Sequence, residues 1–356
     1  MALFSRRDKR RAEPDTTPSG AETAADAPTP DEPAHDASAP AAQPEEVPSV
    51  GISVSAFGGL GAQHPAASAP PEVPDDRRRA RRGPELPPPQ NDSVKGLRDN
   101  VLLRDSLAGL SENTESVALL RVARQVMQNH LFLRVQGDAR ALLGEGKDLP
   151  LAVLRTDDKQ WALAYSSGVA LQRAVQDDGN AQTSAMGQPV MAVLSHVLAG
   201  DFAGLIIDPS STPHRIVLPR DLVQQMVERA DPALTLKTLL AAPRTPETPG
   251  AVARALTEAP LFVAVNTSEP DASGEGRLGI AESRDADGNR ILEIFSHPLE
   301  VVAMGRGDRP LPFTAQQLAS ALASHEHVQG VVLDAAGPWI QLTRDDLIPV
   351  ISLANA

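Results

Sequence analysis

Gly204-Leu205-Ile206-Ile207-Asp208 is answered by Gly330-Val331-Val332-Leu333-Asp334, and that return decides the fold. A glycine, three consecutive apolar residues and an aspartate describe a strand buried on both faces that ends in a turn. Working outward, Leu218-Pro219-Arg220-Asp221 is met again as Leu342-Thr343-Arg344-Asp345. Leu131, Phe132, Tyr165 and Ser166 recur as Leu261, Phe262, Phe295 and Ser296, each 130 positions on. The order is kept while small gaps shift the register, so the C-terminal two thirds hold two copies of one module.

Within the first copy the apolar spacing predicts a helix over 116–128, with Ser116 as its N-cap, and then a strand at Leu131–Val135. A glycine-rich loop through Gly144 and Gly146 follows, and then a hairpin with arms Leu151–Leu154 and Trp161–Tyr165. In the second copy Leu278–Ile280 and Ile291–Phe295 flank Asp285-Ala286-Asp287-Gly288-Asn289, whose Asp-Gly pair suits a tight turn. Ser166 and Ser296 stand as N-caps of short helices. Longer helices are expected around Val193–Leu198 and over Ala315–Ser324, where Thr314 and Gln317 have capping-box spacing. Ile216–Leu218 and Trp339–Leu342 should pair beside the buried strands, with helices from near Asp221 and Asp345 closing each copy.

The expected fold class is therefore α/β, in the α+β sense of a mixed sheet: two tandem homologous modules behind a long disordered N-terminal tail. The tail spans 1–92, a helical lead-in 93–115, the first module 116–240, a linker marked by Pro243, Pro246 and Pro249 241–250, and the second module 251–356. A chain of 356 residues suits two modules of this size.

Composition narrows the function classes. The net charge of -13 opposes a surface that holds phosphate backbones, and no specific nucleic acid is expected as a partner. With one Tyr, two Trp and 3% aromatic residues there is no stacking platform for single strands. The absence of Cys removes thiol nucleophiles, disulfides and thiolate metal ligands. Arg6, Arg7, Lys9, Arg10 and Arg11 are not followed by the apolar stretch of a signal peptide, and no window approaches a membrane span. A cytoplasmic location is expected.

The tail region holds 16 of the 32 prolines and little apolar area to offset chain entropy. One stretch, Val50–Gly61, alternates with period two, so that Ile52 and Val54 share one face of a strand and Phe57 takes the other. It reads as a docking element for an exposed sheet edge, and a protein partner is expected through it or through an edge of the modules. Arg77-Arg78-Arg79-Ala80-Arg81-Arg82, flanked by Asp75, Asp76 and Glu85, reads as a solvated linker run.

Each motif tested for chemistry fails on a named residue. Gly146-Lys147 is followed by Asp148 where a phosphate loop needs Ser or Thr, and Ala141 replaces its first glycine. Asp285, Asp287 and Asn289 suggest a calcium loop, yet Gly288 is out of place and Ser296 stands where Glu should. His325 and His327 lie two apart rather than the four that zinc ligands on one helical face require. No Gly-x-Ser-x-Gly elbow exists. No catalytic residue, metal or cofactor is therefore expected. Asp208, Asp334, Arg220 and Arg344 recur in both copies, which points to turn and helix capping or to a ligand contact. Trp339, opposite His214, is a difference that could give one copy its own ligand.

From Leu131-Phe132 through Pro189 to Gly204-Leu205-Ile206-Ile207-Asp208-Pro209 and Val217-Leu218-Pro219-Arg220-Asp221, the module resembles the N-terminal domain of the SseB, or enhanced serine sensitivity, family. The resemblance covers about 116–230 and, in a second copy, 250–352. It implies a small mixed α/β domain and altered serine tolerance on overproduction, and it brings no active-site residues or cofactor. The expected function is a non-catalytic binding or regulatory protein. The alternatives are a small-ligand (amino-acid) sensor and an enzyme using carboxylates and histidines in the cleft between the copies.

Overall fold

The computed structural model describes residues 82–112, 115–156, 158–267 and 278–355. Ile52, Val54 and Phe57, the arginines before Arg82, and Asp157 of the first hairpin lie outside the described residues. The first module runs α1 (Val101–Ala108), α2 (Ser116–Val126), β1 (His130–Gln136), α3 (Ala139–Gly144), β2 (Val153–Thr156), β3 (Lys159–Ala164), α4 (Gly168–Asp178) and β4 (Thr183–Pro189). It ends with α5 (Val190–Ala199), β5 (Gly204–Ile207), β6 (Ile216–Pro219) and α6 (Arg220–Glu228).

The second module follows the same order except that a strand, β8, stands where the first has α3: α7 (Thr235–Ala241), α8 (Thr248–Ala255), β7 (Leu261–Thr267), β8 (Leu278–Ile280), β9 (Glu282–Arg284) and β10 (Arg290–Ile294). There follow α9 (Pro298–Ala303), β11 (Arg309–Phe313), α10 (Ala315–Ser324), β12 (Val328–Leu333), β13 (Ile340–Thr343) and α11 (Ile348–Ile351). The sheet order β2-β3-β5-β6 matches β9-β10-β12-β13, with one parallel pair at the centre of each. Phe132 bridges Tyr165 as Phe262 bridges Phe295, so the repeated aromatics occupy one place in one fold. Both hairpins, closed after Thr156 and Arg284, join corresponding strands.

Alternation along the strands builds the cores. Ala162, Ala164, Leu205, Ile207, Ile216 and Leu218 face inward with α2, α5 and α6 residues in the first module. Leu292, Ile294, Val331, Leu333, Ile340 and Leu342 do the same in the second. The repeated glycine of each central strand, first in β5 and third in β12, is a steric requirement: a Cβ on Gly204 would lie 2.1 Å from the Leu218 carbonyl oxygen, and one on Gly330 would lie 2.2 Å from that of Leu342. The partner strand's backbone passes where a side chain would stand.

Several local expectations are corrected. The segment read as a glycine-rich loop contains α3, because the Asp138 carboxylate accepts from the Arg140 and Ala141 amides at 2.9 and 3.1 Å. β4 and β11 carry no alternation that would announce a strand, and β11 contains Pro310 and Pro312. Both strands are sheet edges, where a missing N–H is tolerated. α2 begins at Ser116 itself, behind Glu115. The helix caps fall one residue later than read, at Ser167 and His297. The first of those helices, α4, is 11 residues long rather than short. The second module closes not with a helix from Asp345 but with a turn and then the four residues of α11. The Thr314–Gln317 capping box is present. Leu103 and Leu107 of α1 sit in the first core, and Leu236 and Leu240 of α7 in the second. Among the described residues no helix is long and apolar enough to cross a membrane.

The modules meet where α2 crosses α9. The Arg121 Nε donates to the Ala303 carbonyl at 2.9 Å. Arg124 donates to Glu300 at 2.9 Å and to the Gly337 and Ala336 carbonyls at 2.6 and 2.8 Å. Lys237 binds the other oxygen of Glu300. The side chains of Arg124, Lys237 and Glu300 are all buried.

Candidate functional site

Asp208 and Asp334 end the two central strands, each with φ at 54°, a left-handed conformation that aspartate tolerates better than most residues. Each carboxylate reaches across the parallel pair to the serine after the neighbouring strand. Asp208 accepts from the Ser166 amide at 2.7 Å and from its hydroxyl, and Asp334 accepts from Ser296 in the same way. These serines thus clamp two parallel strands rather than cap a helix. Burial pushes both carboxyls up to about 6, against the pull of the serine hydrogen bonds; Glu300 adds to the rise at Asp334.

Arg220 and Arg344 begin the segment after the last strand and turn back onto the preceding helix. Arg220 donates to the carbonyls of Val197, Gly200 and Phe202 at 2.9, 2.9 and 3.1 Å, and to that of Leu198 at 2.5 Å. Arg344 binds the Val328 and Leu322 carbonyls at 2.9 and 3.0 Å. Each guanidinium satisfies carbonyls left open at the end of α5 or α10, where a cation also suits the helix dipole. Replacing Arg220 with Met should lower the unfolding free energy by about 2 kcal/mol, measured by urea unfolding, since several half-buried carbonyls lose a charged donor.

Between the modules a small cleft is lined by Met127, Leu234, Lys237, Ser296 and His297. Ser296, His297 and Asp334 are the residue types of a nucleophilic triad, but their hydrogen bonds run otherwise. The serine hydroxyl donates to Asp334 and not to the imidazole. The Nδ1 of His297 accepts the Leu299 amide at 3.1 Å, so its Nε2 carries the proton and donates to the Met226 carbonyl at 3.1 Å. Burial and then the Lys237 ammonium push the pKa of this neutral ring down to about 4. Among the described residues no three His, Asp or Glu side chains form a metal-holding group.

The family model described as the SseB protein N-terminal domain matches residues 103–225 and matches again at 236–347. The chain belongs to the SseB family. No curated protein and no solved structure matches it.

The two SseB modules differ on the outer face of the four-stranded sheet. In the first, register and alternation place Leu154, Trp161, Leu163, Ile206 and Val217 together on that face. Leu154 is 41% exposed and Val217 45%. The corresponding residues of the second SseB module are Ser283, Ile291, Glu293, Val332 and Gln341. There Glu293 is paired to Arg306, which also meets Asp308, and Trp339 packs beside Ile291 and Val332. Trp339 stands just before β13, where the first module, with a loop two residues longer, has Arg215. Sequence reading missed the outer face because Leu154 and Val217 look like any strand residues until the register shows which side each takes. It missed the Arg124, Lys237 and Glu300 cluster because no local spacing joins those positions.

Proposed function

We propose that this is a non-catalytic, cytosolic binding or regulatory protein of the SseB type, which acts by docking a protein partner on the open sheet face of its first module. The observation that carries the reading is the apolar strip of Leu154 and Val217, both exposed, and half-buried Trp161 and Leu163, where the second module presents polar or covered residues. Contiguous exposed apolar surface on one copy of a repeat marks an interaction site, because the fold itself has no use for it. The internal pairing of Asp208, Asp334, Arg220 and Arg344 supports a capping role for them over ligand contact. The alternating stretch around Ile52, Val54 and Phe57 serves as a second docking element, adding a strand to a partner's sheet edge. The family resemblance links such binding to serine tolerance.

Changing Leu154 and Val217 together to Asp is expected to remove the partners that full-length protein captures from cell extract. Thermal unfolding should stay nearly unchanged, since surface substitutions of this kind fall within about 0.5 kcal/mol. Changing Ile52 and Val54 to Asp should remove only partners that depend on the tail. Capture that survives all four substitutions would defeat the reading.

A further inference from the structure

Residues 82–85, read from sequence as the end of a solvated linker run, lie against the second module and bend at Glu85. The Gly83 amide donates to the Ala335 carbonyl at 2.9 Å, and the Trp339 amide to the Glu85 carbonyl at 3.2 Å. The Trp339 indole N–H donates to the Gly83 carbonyl at 2.9 Å. Arg82 lays its guanidinium over the indole, 5.2 Å from the ring centroid, and donates to the Ser283 hydroxyl at 2.8 Å. The Glu85 carbonyl also takes a longer bond, at 3.5 Å, from Arg244, which holds the Trp339 carbonyl at 3.2 Å.

We propose that the loop from Asp334 to Trp339, together with β9, forms a peptide-recognition groove that reads an extended Arg-Gly-Pro stretch, occupied in this chain by its own residues 82–85. Each position of the peptide has its own selector. Arginine is chosen by the indole face and the serine hydroxyl, a cation–π pairing in which lysine cannot offer the same planar fork. Glycine is chosen by space, because a Cβ at Gly83 would stand 2.0 Å from the Ala336 carbonyl oxygen. Proline fits next because no donor is asked of that residue, and it lies against Gly337, where a Cβ would meet Pro84 at 2.6 Å. Main-chain hydrogen bonds on both sides supply affinity that does not depend on sequence, as in other extended-peptide sites.

The segment's hold is confined to these few residues. Pro84, Glu85 and Leu86 are exposed, and Leu86 leaves 57% of its surface open. A strap attached this way opens locally without unfolding the module. The groove is therefore self-occupied, and its ligand in trans is a partner protein presenting Arg-Gly-Pro in an extended segment. Occupation by the strap and capture of the partner exclude one another, which makes partner binding weaker in the intact chain than at the bare groove.

A fluorescent peptide with the sequence of residues 79–88, titrated into full-length protein, tests this. The Gly83→Ala chain, whose strap no longer fits, is expected to bind the peptide at least tenfold more tightly than the unaltered chain. A peptide with Ala in place of its glycine carries the same charge and should bind at least tenfold more weakly, and Trp339→Ala added to Gly83→Ala should abolish binding. Equal binding of the two peptides, or equal affinity of the two chains, would overturn the proposal. Should Gly83→Ala lose its unfolding transition, hydrogen exchange on the unaltered chain decides the matter. Excess peptide should speed exchange at the Gly83 amide while the Trp339 amide stays protected, and unchanged exchange at Gly83 would overturn the groove.

Discussion

Glu300→Gln is expected to lower the unfolding free energy by about 3 to 5 kcal/mol, the cost of leaving a buried charge without its partner. Burial pushes the Glu300 carboxyl up, and Arg124 and Lys237 more than reverse that, leaving it below the usual carboxylate range. Gln in that place can accept hydrogen bonds but cannot neutralise two cations held out of water. Because Arg124 comes from the first module and Glu300 and Lys237 from the second, the loss should also split the urea unfolding curve into two transitions. Replacing all three with apolar residues of similar volume should recover most of the stability, since the pairing repays little beyond its own desolvation. A single-variant loss below about 1 kcal/mol would show that water reaches the cluster.

Asp208→Asn and Asp334→Asn should change how stability varies with pH. Both carboxyls titrate near 6 in the folded chain against 3.8 for an ordinary aspartate. The protonated form is thus favoured by folding. Its contribution is complete below pH 3.8 and is lost as pH rises through 6. A shift of about two units corresponds to roughly 3 kcal/mol for each group. Asn keeps an acceptor for the serine amide and a donor for the hydroxyl, without the ionisation. The stability of each variant relative to the unaltered chain should therefore rise by about that amount between pH 4 and pH 7, as read from urea unfolding at several pH values. His297, whose ring is held near 4, and Glu300 act in the opposite sense and lose their contribution as pH falls. Comparing variant with unaltered chain cancels both at Asp208, whereas at Asp334 the neighbouring Glu300 is part of the shift being read. A difference that stays flat across the range would mean the carboxylates are already ionised at pH 4.

What could be read from the sequence follows from how far each determinant reaches along the chain. The central strands, the Asp285–Asn289 hairpin and the Thr314 capping box depend on residues close together, and the duplication spelled each element twice. β4 and β11 gave no such signal, because an edge strand needs neither alternation nor every N–H. Ser166 and Ser296 were placed at the right junction with the wrong partner, since the carboxylates that claim their hydroxyls lie 42 and 38 residues away. Arg82 looked like one more solvated charge until the fold brought Trp339, 257 positions later, beneath it.

Duplication doubles a fold, yet the outer sheet face was not doubled with it. In the second copy Glu293, Arg306 and Trp339 close that face, and Arg82 reaches its edge at Ser283, while in the first it stays open around Leu154 and Val217. With docking at that face as proposed, the two modules offer a partner a valence of one: they terminate that interaction rather than bridge two identical partners, and any higher assembly would draw on a surface of different chemistry.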